Sequence, residues 1–339
     1  MIKGNNLEII AEIGSSHDGS LGNAIKLIEV ASKTGFNSVK FQHHIFKDES
    51  LKDALNPPYF KQESREEYFN RIQFSLEDWT IVKKVCEQNK INLIVSPFSL
   101  MALDELIGLE IKNIKIASGE ISNVQLIDSA SKSAEYLYLS TGMSDYAEVK
   151  KTIELISSIR DQLNLFQCTS KYPCPPKYVG LNIIEEFKSF TSEFKEFKVG
   201  LSDHSLGSVA SILSIGVGAL IIEKHICFSN KMYGSDAANA LEVVQLPNYI
   251  NQLREAFEIK NAKSNKTISP ELSEMRQIFC KKLIALNDIV KGSKINESNA
   301  GLRKTSKRSS SSPDYFESLG KTARKDIIKH ELIEEGDLI

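Results

Sequence analysis

The stretch FKVGLSDHSLGSVASILSIGVGALIIEKH, residues 197–225, contains two short apolar runs on either side of a segment with helical periodicity. The first run is Phe197–Gly200, the helical segment is Ser208–Ile215 and the second run is Leu220–Glu223. Parallel strands that are buried on both faces read as near-continuous apolar runs, and a helix commonly joins one to the next. The stretch therefore predicts a β–α–β unit.

The same alternation recurs along the whole chain. The predicted strands are Leu7–Ala11, Ser38–Phe41, Asn92–Val95, Asn113–Ile116, Tyr136–Leu139, Leu163–Gln167, Phe197–Gly200 and Leu220–Glu223. Helical patterns follow most of them, as in Leu21–Thr34, Leu76–Gln88, Val124–Ser133, Tyr146–Ile159 and Ser208–Ile215. Eight such strands in a chain of 339 residues predict an α/β fold, a (β/α)₈ TIM barrel followed by a small β-rich domain.

The predicted organisation has three parts and one long loop. Residues 1–258 form the barrel, residues 259–275 a polar linker, and residues 276–339 the small domain, whose strand-like runs are separated by turn and charge signals. Residues 46–73, here called the insertion, are rich in aromatic and charged side chains and predict a long loop after the second strand. A loop of this length is more often functional than accidental.

Composition narrows the class of protein. The net charge of −2 gives no field that would attract nucleic acid or an anionic membrane, and no apolar run resembles a signal peptide or a membrane span. Five cysteines without a CxxC pair indicate free thiols in a reducing compartment, so we expect a cytoplasmic protein. The basic, serine-rich segment 303–313 leaves three interpretations open: a solvated loop, a nucleic-acid patch or a loop that contacts an anion.

Polar residues fall at the end of almost every predicted strand. They are Glu12, Lys40, Gln42, Ser96, Lys115, Ser118, Glu120, Ser140, Ser170, Tyr172, Ser202, Asp203, His204, Glu223, Lys224 and His225. Catalytic groups of such barrels lie at the C-terminal ends of the strands and in the loops that follow. These residues are therefore predicted to surround a single cavity.

Two histidines stand out among the six in the chain. His204 and His225 close the seventh and eighth strand units, which are neighbours in a barrel. Imidazole is the commonest metal ligand, and two such ligands with water and substrate oxygens would suit Mn²⁺ or a similar cation. From spacing alone, a pair of hydrogen-bonded histidines without metal is an equal alternative. His17, His43 and His44 are less specific, and each is interpreted as a loop residue rather than as a metal ligand.

Cations and hydroxyl groups form a second set. Lys40 and Lys115, with Ser96, Ser118, Ser140 and Ser202, are donors that a phosphate and a carboxylate would need. A buried lysine needs an anion, because an unpaired buried charge is costly. The carboxylates that could balance these lysines, hold sugar hydroxyls or move protons are Glu12, Glu120, Asp203, Glu223 and Asp236.

The motifs, taken together and in order, resemble the sialic acid synthase family. They are AEIGSSHDG (11–19), VKFQ (39–42), SGEISN (118–123), LSTGM (139–143), CTSKYP (168–173), GLSDHS (200–205) and IEKH (222–225). Residues 282–339 resemble, more loosely, the antifreeze-like SAF domain that follows the barrel in that family. The resemblance implies a transferase that forms a carbon–carbon bond between phosphoenolpyruvate and an N-acylated amino sugar, with release of phosphate.

The resemblance also implies roles for individual residues. The metal, Mn²⁺ or another divalent ion, would be bound by His204 and His225. Phosphoenolpyruvate would be bound by Lys40, Ser96, Lys115, Ser118, Ser140, Ser170 and Ser202. The sugar would meet Glu12, Gln42, Glu120, Tyr172 and Asp236. The catalytic groups would be Glu12, Lys40, Lys115, Glu120 and Glu223.

The resemblance further implies a domain-swapped homodimer in which each SAF domain caps the partner's barrel. Many members carry Arg-Pro-Gly in the SAF loop, where this chain reads Leu302-Arg-Lys-Thr305. The residue that reaches the sugar is therefore either Arg303 or Lys304. Lysine lacks the bidentate geometry of arginine.

Two other functions remain open at this point. A Schiff-base aldolase on the same barrel would use Lys115 or Lys224 as its nucleophile. A sugar-binding homologue without activity would bind ligand and release no phosphate. The sequence also leaves open N-acetylmannosamine, its 6-phosphate and the diacetamido sugars that lead to legionaminic or pseudaminic acid. We hypothesise that aromatic residues of the insertion contact the distal carbons of the sugar.

Overall fold

Eight parallel strands form a closed barrel in the structure, a computed structural model that describes residues 6–56, 63–156, 163–190, 197–234, 236–308 and 312–339. The barrel closes because β1 pairs with β8 as well as with β2. The strands are β1 (Glu8–Gly14), β2 (Ser38–His43), β3 (Asn92–Pro97), β4 (Asn113–Ile116), β5 (Tyr136–Ser140), β6 (Leu163–Cys168), β7 (Lys198–Asp203) and β8 (Ile221–Cys227). The predicted (β/α)₈ barrel is confirmed.

Ten helices in the described part of residues 1–262 lie between or after the strands. They are α1 (Leu21–Thr34), α2 (Phe46–Glu49), α3 (Arg65–Ile72), α4 (Leu76–Gln88), α5 (Leu100–Gly108), α6 (Val124–Ser133), α7 (Tyr146–Leu155), α8 (Leu181–Phe190), α9 (Val209–Val217) and α10 (Leu246–Asn261). Two of them, α2 and α3, belong to the insertion. A short strand, β9 (Leu241–Glu242), pairs with the end of β8. Of the helix predicted at Tyr146–Ile159, residues 157–159 lie outside the described part of the chain.

Local sequence sets where these helices begin and end. Helix α1 starts at Ser20, whose hydroxyl accepts a hydrogen bond from the Asn23 amide, and it ends at Gly35 with φ of 99°. Glycine adopts this left-handed conformation without the steric cost that a Cβ adds. Helix α4 starts at a capping box in which Ser75 and Asp78 satisfy each other's backbone amides.

The barrel interior is layered. Ile10, Ile94, Tyr138, Phe166 and Ile221 form a buried apolar cluster inside the strands. Two residues farther along the strands, on the same face, lie polar and charged side chains such as Glu12 on β1 and Glu223 on β8. The apolar layer therefore closes the lower part of the barrel interior, and the polar residues lie directly above it at the C-terminal ends of the strands.

The insertion is partly helical, which corrects the prediction of a long loop. It contains α2 and α3, and Phe46, Tyr68, Phe69 and Ile72 pack into a small buried cluster of their own. The capping box of Ser64 and Glu67 at the start of α3 was a sequence signal for this helix. Residues 57–62, which include Tyr59 and Phe60, lie outside the described part of the chain.

The chain divides into two compact units, residues 1–262 and 263–339. The second unit contains α11 (Pro270–Phe279), α12 (Tyr315–Ser318) and an antiparallel pair of strands, β10 (Lys282–Ala285) and β11 (Ala300–Arg303). Its core includes Leu283, Ile289, Ile327 and Ile333. The segment predicted as a linker, 259–275, holds the end of α10 and the beginning of α11, so it is more helical than its polar composition indicated.

All five cysteines are free, as predicted, and four of them are buried. None of the helices in the described part of the chain combines the length and apolar character that a bilayer crossing requires.

Candidate functional site

Strand alternation brings the predicted charged residues together at the C-terminal end of the barrel. The Lys40 ammonium on β2 lies 2.7 Å from the Glu12 carboxylate on β1. The Lys115 ammonium on β4 lies 2.6 Å from Glu223 on β8, and its Nζ is 4.6 Å from the centre of the Phe166 ring. Two cations thus face two carboxylates, and the buried cluster carries no formal net charge.

Hydroxyl groups extend this cluster. Ser202 on β7 donates to Glu223 Oε1 at 2.9 Å, and Lys40 Nζ donates to the Ser96 hydroxyl at 3.4 Å. The Ser140 hydroxyl on β5 is buried and has no hydrogen-bond partner among the described residues. A buried hydroxyl of this kind is available to a ligand.

The pKa values of the four charged groups follow from burial and from their neighbours. Burial raises the pKa of Glu12 to about 7, although the Lys40 ammonium acts in the opposite direction by stabilising the charged carboxylate. Burial acts in the same direction on Glu223, but Lys115 and Lys40 outweigh it and lower its pKa to about 2. Burial also lowers the pKa of Lys115, whereas Glu12 and Glu223 hold the pKa of Lys40 above its usual value against the effect of burial. Glu12 is therefore the group in this cluster that is closest to exchanging a proton near neutral pH.

A second cluster of hydroxyls surrounds Gly142, which follows β5. The Gly142 amide donates to Ser118 Oγ at 3.0 Å. A Cβ at this position would lie 2.7 Å from Ser118 Oγ and 3.0 Å from Cys168 Sγ, and it would also collide with the Ser170 hydroxyl. Only glycine leaves room for these three side chains to converge, and such a group of donors suits an anion.

The two histidines lie opposite each other where β7 and β8 end. Their ring centroids are 5.5 Å apart, and the Tyr172 ring is 4.2 Å from that of His204. His204 Nδ1 lies 3.0 Å from the Thr169 carbonyl, which can only accept, so that nitrogen donates, and in the neutral ring Nε2 carries the free lone pair. His225 Nδ1 is buried, has no hydrogen-bond partner among the described residues, and lies 3.9 Å from Asp236 Oδ2.

This donor set fits a divalent metal ion. An outer hydrogen bond to a carbonyl is how proteins orient a ligating imidazole, and the buried, unpartnered nitrogen of His225 is costly unless something binds it. Within the described residues, no group of three or more His, Cys, Asp and Glu side chains forms a complete metal site. A metal here would therefore take its remaining ligands from water or substrate.

The residues predicted to meet a sugar lie beside these groups. Gln42 Nε2 donates to Glu12 Oε1 at 2.8 Å, and Asp236 Oδ2 accepts from both the amide and the hydroxyl of Ser15 at 2.8 Å. Gly14, with φ of 51°, fits between them, since a Cβ there would collide with Asp236 and lie 3.1 Å from Glu12 Oε1. Glu120 is half-buried on a 3₁₀ turn, Ser118–Glu120, and accepts from Asn123 Nδ2 at 2.8 Å.

Two strand-end residues point away from this cavity. Lys224 lies between Glu223 and His225 on β8, so alternation directs its side chain to the opposite face. Its Nζ is 3.0 Å from Asp203 Oδ2, which also accepts from the Ser211 hydroxyl at 2.6 Å. The expectation that Asp203 and Lys224 belong to the ring around the cavity is wrong, because this ion pair is fully buried behind the strands. Lys224 is accordingly a poor candidate for a Schiff-base nucleophile.

Arg303 and Lys304 belong to the second unit. The Arg303 guanidinium donates to the neighbouring Leu302 carbonyl at 2.9 Å, and the Lys304 ammonium lies 5.4 Å from the centre of the Phe279 ring. Each side chain thus contacts residues of its own unit. Of the segment 303–313, residues 309–311 lie outside the described part of the chain.

Comparison with known proteins places this barrel in a family. A sequence model of the NeuB family matches residues 27–265, which is more than half of the chain. The chain belongs to the NeuB family. The N,N'-diacetyllegionaminic acid synthase of Campylobacter jejuni is 32% identical over 96% of this chain and 98% of that protein. The protein of the same name from Legionella pneumophila is 31% identical over 85% of this chain and 83% of its own length.

A solved structure supports the same assignment. The crystal structure of the N-acetylneuraminic acid synthetase from Leptospira borgpetersenii matches with a TM-score of 0.68 at 26% identity, covering 80% of this chain and 92% of that chain. The resemblance of the motifs to sialic acid synthases is thereby confirmed at the level of the family.

Sequence reasoning missed several residues of this NeuB-family site. Gly14 and Gly142 lie inside quoted motifs, yet their role depends on what a Cβ would touch, which spacing does not reveal. Cys168 also lies against the site, with Sγ 3.8 Å from His204 Nδ1. His44, interpreted as a loop residue, is buried and hydrogen-bonds to Gln42.

Proposed function

We propose that this NeuB-family chain is a nonulosonic acid synthase that joins phosphoenolpyruvate to an N-acylated amino sugar. The observation that carries the proposal is the buried charge cluster, in which Lys40 and Lys115 are balanced by Glu12 and Glu223. The named relatives are synthases of nonulosonic acids, which supports the choice of reaction.

On the phosphoenolpyruvate side, the two lysines supply positive charge and the serines supply hydrogen bonds. The serines of this group are Ser96, Ser118, Ser140, Ser170 and Ser202. An entering anion competes with Glu12 for Lys40. Because burial raises the pKa of Glu12 to about 7, this carboxyl can take up a proton as the anion binds, and Lys40 is then released to the ligand.

On the sugar side, Glu12, Gln42, Glu120, Tyr172 and Asp236 would hold the amino sugar in its open-chain form. His204 and His225 would bind a divalent ion, with Mn²⁺ as our first candidate. Such an ion, when bound, supplies Lewis acidity to a carbonyl oxygen. The Thr169 carbonyl fixes the orientation of the His204 ring through a hydrogen bond, and burial restricts the ring of His225.

The proposed reaction balances as follows. Carbon 3 of phosphoenolpyruvate forms a bond to the aldehyde carbon of the sugar, and the aldehyde oxygen takes up a proton to become a hydroxyl. Water adds to carbon 2, and the bond between carbon 2 and the phosphate oxygen breaks. Of the two protons of this water, one balances the proton taken up by the aldehyde oxygen and the other leaves with phosphate, so that carbon 2 ends as a ketone. The protein contributes positioning and electrostatic stabilisation rather than a covalent intermediate.

The second unit and the oligomeric state are part of the same proposal. We propose that residues 276–339 form an SAF-like domain and that two chains assemble as a domain-swapped dimer in which Arg303 or Lys304 meets the partner's sugar. Mixing an Arg303→Ala chain with a Glu223→Gln chain tests this. Recovery of activity in the mixture supports a shared site, and its absence, with both variants dimeric by light scattering, opposes it.

The test of the function is phosphate release from phosphoenolpyruvate with a panel of amino sugars. The panel contains N-acetylmannosamine, its 6-phosphate and a 2,4-diacetamido-trideoxy sugar, the last favoured by the two legionaminic acid synthases among the relatives. Release that depends on one sugar and on the metal supports the synthase. Covalent trapping of Lys115 by borohydride with pyruvate would instead indicate a Schiff-base aldolase, and saturable sugar binding without release would indicate an inactive homologue.

A further inference from the structure

His44, directly after β2, is held in place by two aromatic rings. Its ring lies between Phe69 of the insertion and Phe98 after β3, with centroid distances of 4.0 Å on both sides and stacked planes. The side chain is buried, with 4% of its surface exposed. A histidine confined in this way has a fixed ring orientation, so its two nitrogens point in fixed directions.

Both of those nitrogens face hydrogen-bond acceptors. Nδ1 lies 2.7 Å from Glu49 Oε2, and Nε2 lies 3.2 Å from Gln42 Oε1. The other Glu49 oxygen lies 3.4 Å from the Arg65 guanidinium, so Glu49 is itself held by the insertion. A carboxylate oxygen and an amide oxygen can only accept, so each of these contacts calls for an N–H donor from the ring.

The orientation of the Gln42 amide follows from its two neighbours. Gln42 Nε2 donates to Glu12 Oε1 at 2.8 Å, and a carboxylate can only accept. The amide oxygen of Gln42 therefore faces His44, which donates to it. A protonated Glu12 could instead donate to that oxygen, so Glu12 alone does not fix the amide.

We propose that His44 is a positioning residue that fixes the Gln42 amide and so connects the insertion to the amino-sugar side of the site. With its oxygen bound to His44 and one amide hydrogen bound to Glu12, Gln42 presents its second amide hydrogen to a hydroxyl or acyl oxygen of the sugar. The inference rests on the proposed function, since it concerns the sugar that this site would bind.

The charged groups around His44 also act on Glu120, another residue predicted to meet the sugar. Burial raises the pKa of Glu120, and among the smaller effects Glu49 raises it while His44 and Arg65 lower it. The described aromatics of the insertion, by contrast, are packed against one another or against His44. The insertion therefore reaches the sugar side of the site through His44 and Gln42. The direct aromatic contact that the sequence suggested stays a prediction, since Tyr59 and Phe60 lie outside the described part of the chain.

Three variants test the inference. His44→Phe keeps a ring between Phe69 and Phe98 but removes both donors, and His44→Gln keeps one donor near the Nε2 position. The matched control is His43→Gln. His43 is also buried, with Nε2 2.8 Å from the Glu105 carboxylate and Nδ1 accepting from Trp79 Nε1. Its side chain lies on the face of β2 opposite to that of Gln42, so it does not contact the Gln42 amide.

The first readout does not depend on activity. In protein labelled with ¹⁵N-glutamine, the Gln42 side-chain amide signal, assigned by its loss in Gln42→Asn, is expected to shift in His44→Phe, to return toward its original position in His44→Gln, and to stay unchanged in His43→Gln. An unmoved Gln42 signal in His44→Phe overturns the positioning role, whatever the activity of the enzyme.

The second readout separates the sugar from phosphoenolpyruvate. His44→Phe is expected to raise KM for the sugar about tenfold, the effect of one lost hydrogen bond, with less than about a twofold change in KM for phosphoenolpyruvate. Equal effects on both substrates, or no effect on the sugar, overturn the link to the sugar. If the Gln42 signal shifts in His44→Phe while the wild-type protein releases no phosphate with any sugar, the proposed function is contradicted and the positioning role stays supported.

Discussion

The Lys115 ammonium on β4 and the Glu223 carboxylate on β8 lie 2.6 Å apart inside the barrel, with about 4% and 3% of their side chains exposed. These residues are 108 positions apart in sequence, and only closure of the barrel brings them together. Breaking a buried pair costs far more than breaking an exposed one, because the remaining charge has no water around it.

Glu223→Gln is therefore expected to lower the free energy of unfolding by about 3–5 kcal/mol. The double variant Lys115→Met with Glu223→Gln should lose much less, since no unpaired charge remains. Asp128→Asn is the control, because Asp128 pairs with Lys132 at 2.6 Å on an exposed helix face and should change stability by less than about 0.5 kcal/mol. Urea unfolding measures all three, and equal losses from the exposed and buried pairs would contradict the argument.

Stability should depend on pH through His17. Burial lowers the pKa of His17 to about 4, while in the unfolded chain it is about 6.5. Between these values the unfolded state binds the proton more readily than the folded state does. The contribution of neutral His17 to the free energy of unfolding is therefore fully present above about pH 6.5, and it falls by up to about 3 kcal/mol as the pH drops toward 4. His17→Asn, which can still accept from the Gly19 amide, should lack this part of the fall. Urea unfolding at a series of pH values measures this fall in the wild-type protein and in His17→Asn. An equal fall in the two proteins would argue against His17 as its cause.

Gly142→Ala should disturb phosphoenolpyruvate binding. The added Cβ would lie 2.7 Å from Ser118 Oγ and displace the hydroxyls that converge there. We expect KM for phosphoenolpyruvate to rise about tenfold or more, with a smaller effect on the sugar. Gly216→Ala on α9 is the control, since a Cβ there meets nothing within 4 Å. Steady-state kinetics with each substrate varied in turn distinguish the two, and an unchanged KM in Gly142→Ala would remove this cluster from the anion site.

His225→Ala should abolish metal-dependent turnover and leave the fold intact. Loss of an outer-shell partner already weakens metal binding about tenfold or more, and loss of a ligand should weaken it further. Isothermal titration with Mn²⁺ measures this directly, with the exposed His330→Asn as the control. Phosphate release by His225→Ala that persists in metal-free buffer would exclude a role for the histidine pair as metal ligands in the reaction.

The sequence predicted the barrel well because apolar runs and helical periods are local properties. It also predicts that the strand ends converge, which is enough to identify Glu12, Lys40, Lys115 and Glu223 as residues of one cavity. It misplaced Lys224, although alternation along β8 could have shown that this residue faces away from Glu223 and His225.

What the sequence could not predict depends on contacts between distant segments. The importance of Gly142 follows from side chains on β6 and after β4, and that of His44 from rings contributed by α3 and by the residue after β3. The helices of the insertion were missed because α2 spans only four residues and α3 lies among charged residues.

The most direct test of the account is the mass of the product formed from phosphoenolpyruvate and the amino-sugar panel in the presence of Mn²⁺. We predict a new keto acid whose mass equals that of one sugar plus phosphoenolpyruvate plus water, less phosphoric acid, formed in equal amount to the phosphate released and absent with a chelator. Phosphate released without such a product, or pyruvate as the only product, would contradict the proposed condensation.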